Sequence, residues 1–133
     1  MEYAFDTNTI IHLMRGTQSV KENREKATED GSRFIIPLFV NYEIKRGLII
    51  KAVSKHVKAY DIVCANCSLV EMTVDAWIRA ARIYAGLYAK RFTVRDSDII
   101  IAAFCIVNDY TLVTDNTKDF ENIGGLKYVN WVE

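Results

Sequence analysis

The longest apolar run of the chain, Ile99–Val107, contains no charged or strongly polar residue. Asp96 and Asp98 precede it, and after a short polar turn an apolar strand follows at Tyr110–Thr114. A helix that is apolar on every face must be buried, and a strand without polar alternation is typical of the centre of a parallel sheet. The pattern therefore predicts a buried helix and a central strand, with acidic residues at their ends.

Short apolar runs alternate with segments of helical periodicity along the rest of the chain. Strands are predicted at Glu2–Phe5, Phe34–Ile36, Leu69–Met72, Tyr110–Thr114 and Lys127–Val132. Helices are predicted at Thr9–Arg15, at the polar and exposed Thr17–Asp30, from Leu38 to Val63, at Val74–Lys90 and over Ile99–Val107. This alternation indicates a single α/β domain over residues 1–133, with a mainly parallel central sheet of four to five strands and helices on both faces.

Two long helices are predicted in the middle of the chain. The helix that begins at Leu38 is expected to continue without interruption through Lys51–Val63. In the helix over Val74–Lys90, apolar residues recur at helical spacing, and we expect this face to pack into the core. The apolar residues of that helix are Val74, Trp77, Ile78, Ala81, Tyr84, Ala85 and Tyr88.

Composition and charge are those of an ordinary globular domain. Of the 133 residues, 50% are hydrophobic and 26% are charged, and 17 Lys and Arg balance 17 Asp and Glu. Zero net charge argues against a strongly basic nucleic-acid module but allows local basic patches. The N-terminus does not resemble a signal peptide, no apolar run is long enough to span a membrane, and the cysteine count is odd. We therefore expect a cytoplasmic protein without a disulfide framework.

Four acidic residues follow the predicted strands or begin the predicted helices. Asp6 ends the first strand, and Asp115 directly follows the strand that ends at Thr114. Glu43 and Asp98 lie in the first turns of their helices. Sites in open parallel sheets form beyond the carboxyl ends of the strands, so all four acids are predicted at one edge. Clustered carboxylates repel one another unless a cation binds, and all-oxygen ligands suit Mg²⁺ or Mn²⁺.

Four motifs occur in order at this edge. They are Asp6-Thr7-Asn8 after the first strand, Glu43 alone on its helix, Asp98-x-x-Ile101-Ala102-Ala103, and Leu112-Val113-Thr114-x-Asn116-x-x-Asp119-Phe120. In this order and spacing the sequence resembles the PIN-domain ribonucleases over essentially the whole chain. The closest likeness is to the VapC toxins of bacterial and archaeal toxin–antitoxin pairs.

The resemblance implies a PIN-like fold and a Mg²⁺-dependent endoribonuclease, with Mn²⁺ as an alternative ion. In-line hydrolysis of an RNA phosphodiester would leave 5′-phosphate and 3′-hydroxyl ends. A tRNA is the suggested substrate. The resemblance also implies a cognate VapB-like antitoxin and a homodimer, with no membrane association.

Carried over residue by residue, the resemblance makes Asp6, Glu43 and Asp98 the metal-binding, catalytic acids. Asp115 is our choice for the fourth acid. Asn8 would orient the acids or a bound water through a hydrogen bond.

Two positions of the site have competing candidates. Asp96 and Asp98 both precede the Ile101-Ala102-Ala103 segment; the family spacing selects Asp98 and leaves Asp96 as a helix cap. Asp115, Asn116 and Asp119 all follow the central strand, and the family places either an acid or an amide here. Which of these three completes the site stays open, and Asn116 and Asp119 are expected at least to support it.

Basic residues near the predicted site are candidates for contacts with RNA phosphates. Lys45, Arg46 and Arg95 could line the site, although ordinary solubility explains them equally well. Neither histidine, His12 or His56, is assigned a role beyond surface or packing.

An alternative function is a catalytically weak PIN-like domain that serves as a protein- or RNA-binding assembly module. The intact acidic set favours the nuclease, because a scaffold has no need to keep repelling carboxylates together. A haloacid-dehalogenase-like phosphatase is disfavoured, since Asp6-x-Asn8 lacks the second Asp of that motif.

Overall fold

The computed structural model describes all 133 residues of the chain. Its strands are β1 (Glu2–Phe5), β2 (Arg33–Pro37), β3 (Ser68–Val70), β4 (Thr111–Val113) and β5 (Lys127–Val129). Its helices are α1 (Thr7–Arg15), α2 (Gln18–Glu29), α3 (Leu38–Lys51), α4 (Ser54–Cys64), α5 (Val74–Ala89) and α6 (Asp96–Asn108), with a 3₁₀ turn at Thr117–Asp119. None of the helices combines the length and the apolarity that crossing a membrane requires.

The five strands form one sheet in the order β3-β2-β1-β4-β5, and every neighbouring pair is parallel. Ala4 of the central strand β1 pairs with Ile35 of β2 on one side and with Leu112 of β4 on the other. The direction of winding therefore reverses between β1 and β4. The main helix–helix contacts fall within two groups, α1–α4 and α5–α6, which right-handed crossovers place on opposite faces. The predicted α/β fold is confirmed.

Helix α6 and strand β4 form the centre of the core, as predicted. All three residues of β4 are buried, and so are most residues of α6, including Ile99, Ala102 and Phe104. Phe104 is fully enclosed and packs against the ring of Tyr110. The carboxylates at the beginning of α6 are therefore attached to one of the most rigidly packed elements of the domain.

The prediction for α5 is wrong. Its buried residues are Ala76, Ala80 and Leu87, and its strongest contacts are with α6. The apolar stripe lies about a third of a turn away from this contact face and is exposed, from 50% for Trp77 to 75% for Val74. Periodicity located the stripe correctly, but it cannot tell whether another part of the same chain covers it.

The prediction of one continuous helix from Leu38 to Val63 is also wrong. Helix α3 ends at Ala52, whose φ of 51° is left-handed, and Val53 is extended before α4 begins. A straight helix of this length would be about 40 Å long and would carry Tyr60 and Val63 past the sheet. The break turns α4 back onto α1, where both side chains are buried. No glycine or proline signals this turn in the sequence.

Candidate active site

A cavity of about 190 Å³ lies at the edge of the sheet where β1 and β4 end. Three of the predicted acids, each from a different element, line it together with polar neighbours. The lining residues are Asp6, Thr7, Asn8, Phe39, Val40, Glu43, Arg95, Ser97, Asp98, Ile101 and Asn116. Acids that are far apart in sequence thus converge at the reversal point of the sheet, as parallel topology predicts.

Asp6 is held at the junction of β1 and α1. It is the N-cap of α1, and its Oδ1 accepts a hydrogen bond of 2.8 Å from the Thr9 backbone N–H. Burial raises the pKa of the Asp6 carboxyl above its usual value, and the charge of Asp115 adds to this, although hydrogen bonds from Thr114 and Thr9 oppose it. The charge of Asp6 is therefore only partly compensated, and a cation would stabilise it.

Asp98 lies in the first turn of α6, and only 9% of its surface is exposed. The Nε of Arg95 donates to its Oδ2 at 3.3 Å. Burial raises the pKa of Asp98 and outweighs the lowering by Arg95, while the charge of Asp119 raises it further. Asp96 is exposed. It is the first residue of α6, and the N-cap of this helix is Arg95. The predicted cap role of Asp96 is wrong, and Asp98 alone of this pair lines the cavity.

Glu43 lines the same cavity from a third element, helix α3. The hydroxyl of Thr7 donates to its Oε1 at 3.0 Å, and Nη2 of Arg46 lies 4.0 Å from its Oε2. Thr7 therefore links the beginning of α1 to the Glu43 carboxylate and fixes its direction.

The donors of the cavity fit Mg²⁺ in chemistry. They are carboxylate, hydroxyl and amide oxygens, with no histidine or cysteine among the lining residues, which suits a hard cation and disfavours zinc. No three acids, histidines or cysteines lie close enough to bind one ion directly. This arrangement still fits Mg²⁺, which keeps several waters and takes only one or two carboxylates directly.

The three candidates for the fourth position lie in different places. Asn116 lines the cavity, and its side-chain amide donates to Asp119. Asp119 lies beside Asp98, whose pKa it raises. Asp115 is not among the lining residues: its Oδ2 accepts from Nε2 of His12 at 3.0 Å. As a metal ligand, Asp115 stays a prediction.

The partner of Asp115 is a residue to which the sequence assigned no role. Besides its bond to Asp115, His12 contacts the Thr17 hydroxyl through Nδ1 at 3.0 Å. Because a carboxylate only accepts, Nε2 carries the hydrogen of the bond to Asp115. A separation of 103 residues between His12 and Asp115 left no signal in the sequence. Only the pairing of β1 with β4 brings them together.

Of the basic residues predicted to contact RNA, only Arg95 lines the cavity. Its guanidinium spans Asp98 and Asp119, with Nη2 lying 3.9 Å from the latter. Lys45 lies 5.6 Å from the ring centre of Tyr60, and Arg46 lies over Tyr42 beside Glu43. Lys45 and Arg46 are thus engaged outside the cavity, and their contact with RNA stays a prediction.

The family model for the PIN domain matches residues 3–126 of the chain. The chain belongs to the PIN-domain family. Ribonuclease VapC1 of Rickettsia felis is 30% identical to this PIN domain over 131 residues, which cover 96% of the chain and 94% of the relative. Ribonuclease VapC of Rickettsia bellii is 31% identical over 134 residues, covering 92% and 90%. The resemblance inferred from the motifs is confirmed.

The fold of this PIN domain is shared with a solved toxin–antitoxin complex. The crystal structure of VapBC2 from Rickettsia felis, bound to a DNA fragment from its promoter, contains a similar chain. The two chains are 23% identical, the match covers 98% of this chain and 99% of the other, and the TM-score is 0.91. This likeness shows that the two chains share one fold.

Proposed function

We propose that this PIN domain is a Mg²⁺-dependent endoribonuclease. The observation that carries the proposal is the convergence of Asp6, Glu43 and Asp98 on one small cavity at the reversal point of the sheet. The relatives named Ribonuclease VapC support RNA as the substrate. Because the donors are oxygen atoms, Mn²⁺ is expected to replace Mg²⁺.

Each polar residue of the cavity has its own role in this proposal. Asp6, fixed by its bond to Thr9, and Asp98, fixed on α6, would hold the ion directly, and Glu43, oriented by Thr7, would contact it through a bound water. A bound Mg²⁺ lowers the pKa of a water and stabilises charge on the phosphate. We assign Asn116 to the fourth donor position, with Asp119 holding its amide. The Arg95 side chain pairs with Asp98 but is 71% exposed, so its solvent side is accessible to a phosphate.

The expected products are a 5′-phosphate and a 3′-hydroxyl, and a tRNA is the first substrate to test. An RNA substrate places the reaction in the cytoplasm. We also propose that a VapB-like antitoxin inhibits this chain. The support is that the structures of VapBC2 from Rickettsia felis and VapBC-1 from Haemophilus influenzae each contain a chain with the same fold as this one.

The test is to express the chain alone and to incubate it with labelled tRNA and with an unstructured RNA. Cleavage is expected with Mg²⁺ or Mn²⁺ and is expected to stop with EDTA. Enzymatic mapping of the new ends should find phosphate on the 5′ side. Activity that persists in EDTA, or ends that carry a 2′,3′-cyclic phosphate, would refute the metal-dependent mechanism.

A catalytically weak binding module remains the competing function, and the same material separates the two. A module of that kind binds RNA or protein equally well with and without Mg²⁺ and releases no new RNA ends. For the toxin role, co-expression with a VapB-like antitoxin, to be sought as a small open reading frame next to the gene, should relieve growth arrest caused by the chain alone.

A further inference from the structure

A second recess, which we call the basic groove, lies directly beside the acidic cavity. It has a volume of about 490 Å³ and is formed between α1, α3 and α4. Thr7 and Glu43 line both the groove and the cavity, so the two are adjacent. The groove exists because the chain breaks at Ala52 and turns α4 back toward α1. Its lining residues are Thr7, Ile11, Met14, Arg15, Glu43, Ile44, Gly47, Leu48, Lys51, Lys55, His56 and Ala59.

The charges of the groove are nearly all positive. Arg15, Lys51 and Lys55 line it and are exposed, and Glu43, at the cavity end, is its only acid. None of the three cations is part of an ion pair or lies over an aromatic ring. Lys55 lies in the first turn of α4, and that turn contains no acidic residue. The positive end of the helix dipole therefore adds to the positive potential at Lys55.

Unpaired cations next to a nuclease site are complementary to a polyanion. We propose that the basic groove binds the RNA strand flanking the cleavage site, with Arg15, Lys51 and Lys55 contacting successive phosphates. The proposal rests on the proposed function, because the acidic cavity must hold the scissile phosphate. The apolar floor of Ile11 and Leu48 offers no base-edge donors, so the contacts are to the backbone and are insensitive to sequence.

The competing occupant is a protein segment, since the groove also has an apolar floor. The charge pattern favours RNA: a strand that leaves an acidic cavity must be held by cations, and each phosphate contact carries a measurable salt dependence. The two occupants therefore make different predictions for RNA binding by the chain alone.

The test measures binding rather than cleavage. Asp98→Asn keeps RNA intact, and its affinity for a fluorescent single-stranded RNA of about 12 nucleotides is followed by anisotropy over a range of salt concentrations. Adding Arg15→Gln, Lys51→Gln and Lys55→Gln should weaken binding about tenfold or more and should lower the slope of log Kd against log salt by about 2, since single strands lose roughly 0.7 per phosphate contact.

The matched control removes the same charge elsewhere. Lys26→Gln, Arg79→Gln and Arg82→Gln change three exposed cations of α2 and α5 outside the groove and should leave the affinity within about threefold, because distant charges are screened. Equal weakening in both triple variants would mean general electrostatics and would overturn the proposal.

A steric pair tests the groove without changing charge. Gly47 lines the groove within α3, and a Cβ atom added there meets nothing within 4 Å, so the first atom of a side chain has room. Gly47→Trp should therefore fold and fill the groove, weakening RNA binding about as much as the charge variants. Gly86→Trp, at an equally open position of α5, should bind RNA as the parent does.

Failure of the inference and failure of the proposed function give different results. If the wild-type chain cleaves RNA with Mg²⁺ while all groove variants bind as tightly as their parent, the groove proposal is overturned and the nuclease stands. That result would assign the groove to a protein segment. If the wild-type chain neither cleaves nor binds RNA, both are overturned.

Discussion

Helices α5 and α6 pack against each other and are both rich in apolar residues, yet they use them in opposite ways. Helix α6 buries seven of its 13 residues, among them the charged Asp98, whereas α5 buries only three of its 16. Helix α6 lies between the sheet and α5, and α5 is the outer layer. Most apolar residues of α6 are therefore part of the core, whereas most of those on α5 lie on the surface.

The difference also explains how one helix supplies a functional acid. Asp98 is buried because it lies on α6. Burial raises the pKa of its carboxyl, and Arg95 compensates its charge only in part. Asp96, two positions earlier, is exposed and has no such constraint. Burial of the element, rather than acidity in the sequence, distinguishes a candidate ligand from a solvated carboxylate.

The largest expected effect separates these two acids. Asp98→Asn should lower Mg²⁺-dependent RNA cleavage by about two orders of magnitude or more, because it removes a charge that would hold the ion. Asp96→Asn should change the rate by less than about threefold, as expected of an exposed charge. Initial rates on one labelled RNA measure both. A loss at Asp96 greater than that at Asp98 would reverse our assignment.

The second prediction compares truncations in the core and on the stripe. Phe104→Ala should cost about 3–5 kcal/mol of unfolding free energy, because it empties a fully buried site. Tyr88→Ala should cost less than about 1 kcal/mol, since the side chain is 73% exposed and its main contact is stacking on Tyr84. Urea unfolding followed by circular dichroism gives both values. A large loss for Tyr88→Ala at low protein concentration would mean that α5 packs differently.

The fold and three acids of the cavity could be predicted from the sequence because each depends on local pattern and topology. Once β1 and β4 were recognised as central strands, parallel pairing placed Asp6 and Asp98 at one edge. The pattern also separated the buried α6 from the polar α2. These features need only the order of the elements and the periodicity of their apolar residues.

The remaining features depend on contacts that no local pattern encodes. The bond between His12 and Asp115 requires the exact relation of α1 to the loop after β4. The break at Ala52 puts a non-glycine residue at positive φ, which only packing of α4 on α1 stabilises. The basic groove follows from that break, and no local pattern marks Arg15, Lys51 and Lys55 as residues of one groove.

The third prediction concerns the exposed stripe of α5. The homodimer implied by the family resemblance needs an uncovered apolar surface, and Trp77, Ile78 and Tyr84 provide one without a charged residue among them. Trp77→Glu combined with Tyr84→Glu should weaken self-association about tenfold or more, because charges would be buried without partners. Light scattering across a concentration series measures the shift. Arg79→Glu with Arg82→Glu is the control, and an equal effect there would place the dimer surface elsewhere.

The smallest effect is a pH dependence of stability that arises from Asp6. Burial, with the charge of Asp115, raises its pKa in the folded state, so the folded chain binds more protons than the unfolded chain above the ordinary pKa of aspartate. The unfolding free energy therefore falls as pH rises from that value through the raised pKa. Above the raised pKa, the Asp6 carboxylate destabilises the folded chain by its full amount.

Asp6→Asn removes the titrating carboxyl, while its amide oxygen can still accept from Thr9. In EDTA the variant should melt above the wild type at about pH 7 and lose this advantage near pH 4, close to the unperturbed pKa. Adding Mg²⁺ should then raise the melting temperature of the wild type but not of the variant, because only a chain that binds the ion is stabilised by it. Melting curves with the same offset at every pH would show that the Asp6 carboxyl is not destabilised by its surroundings.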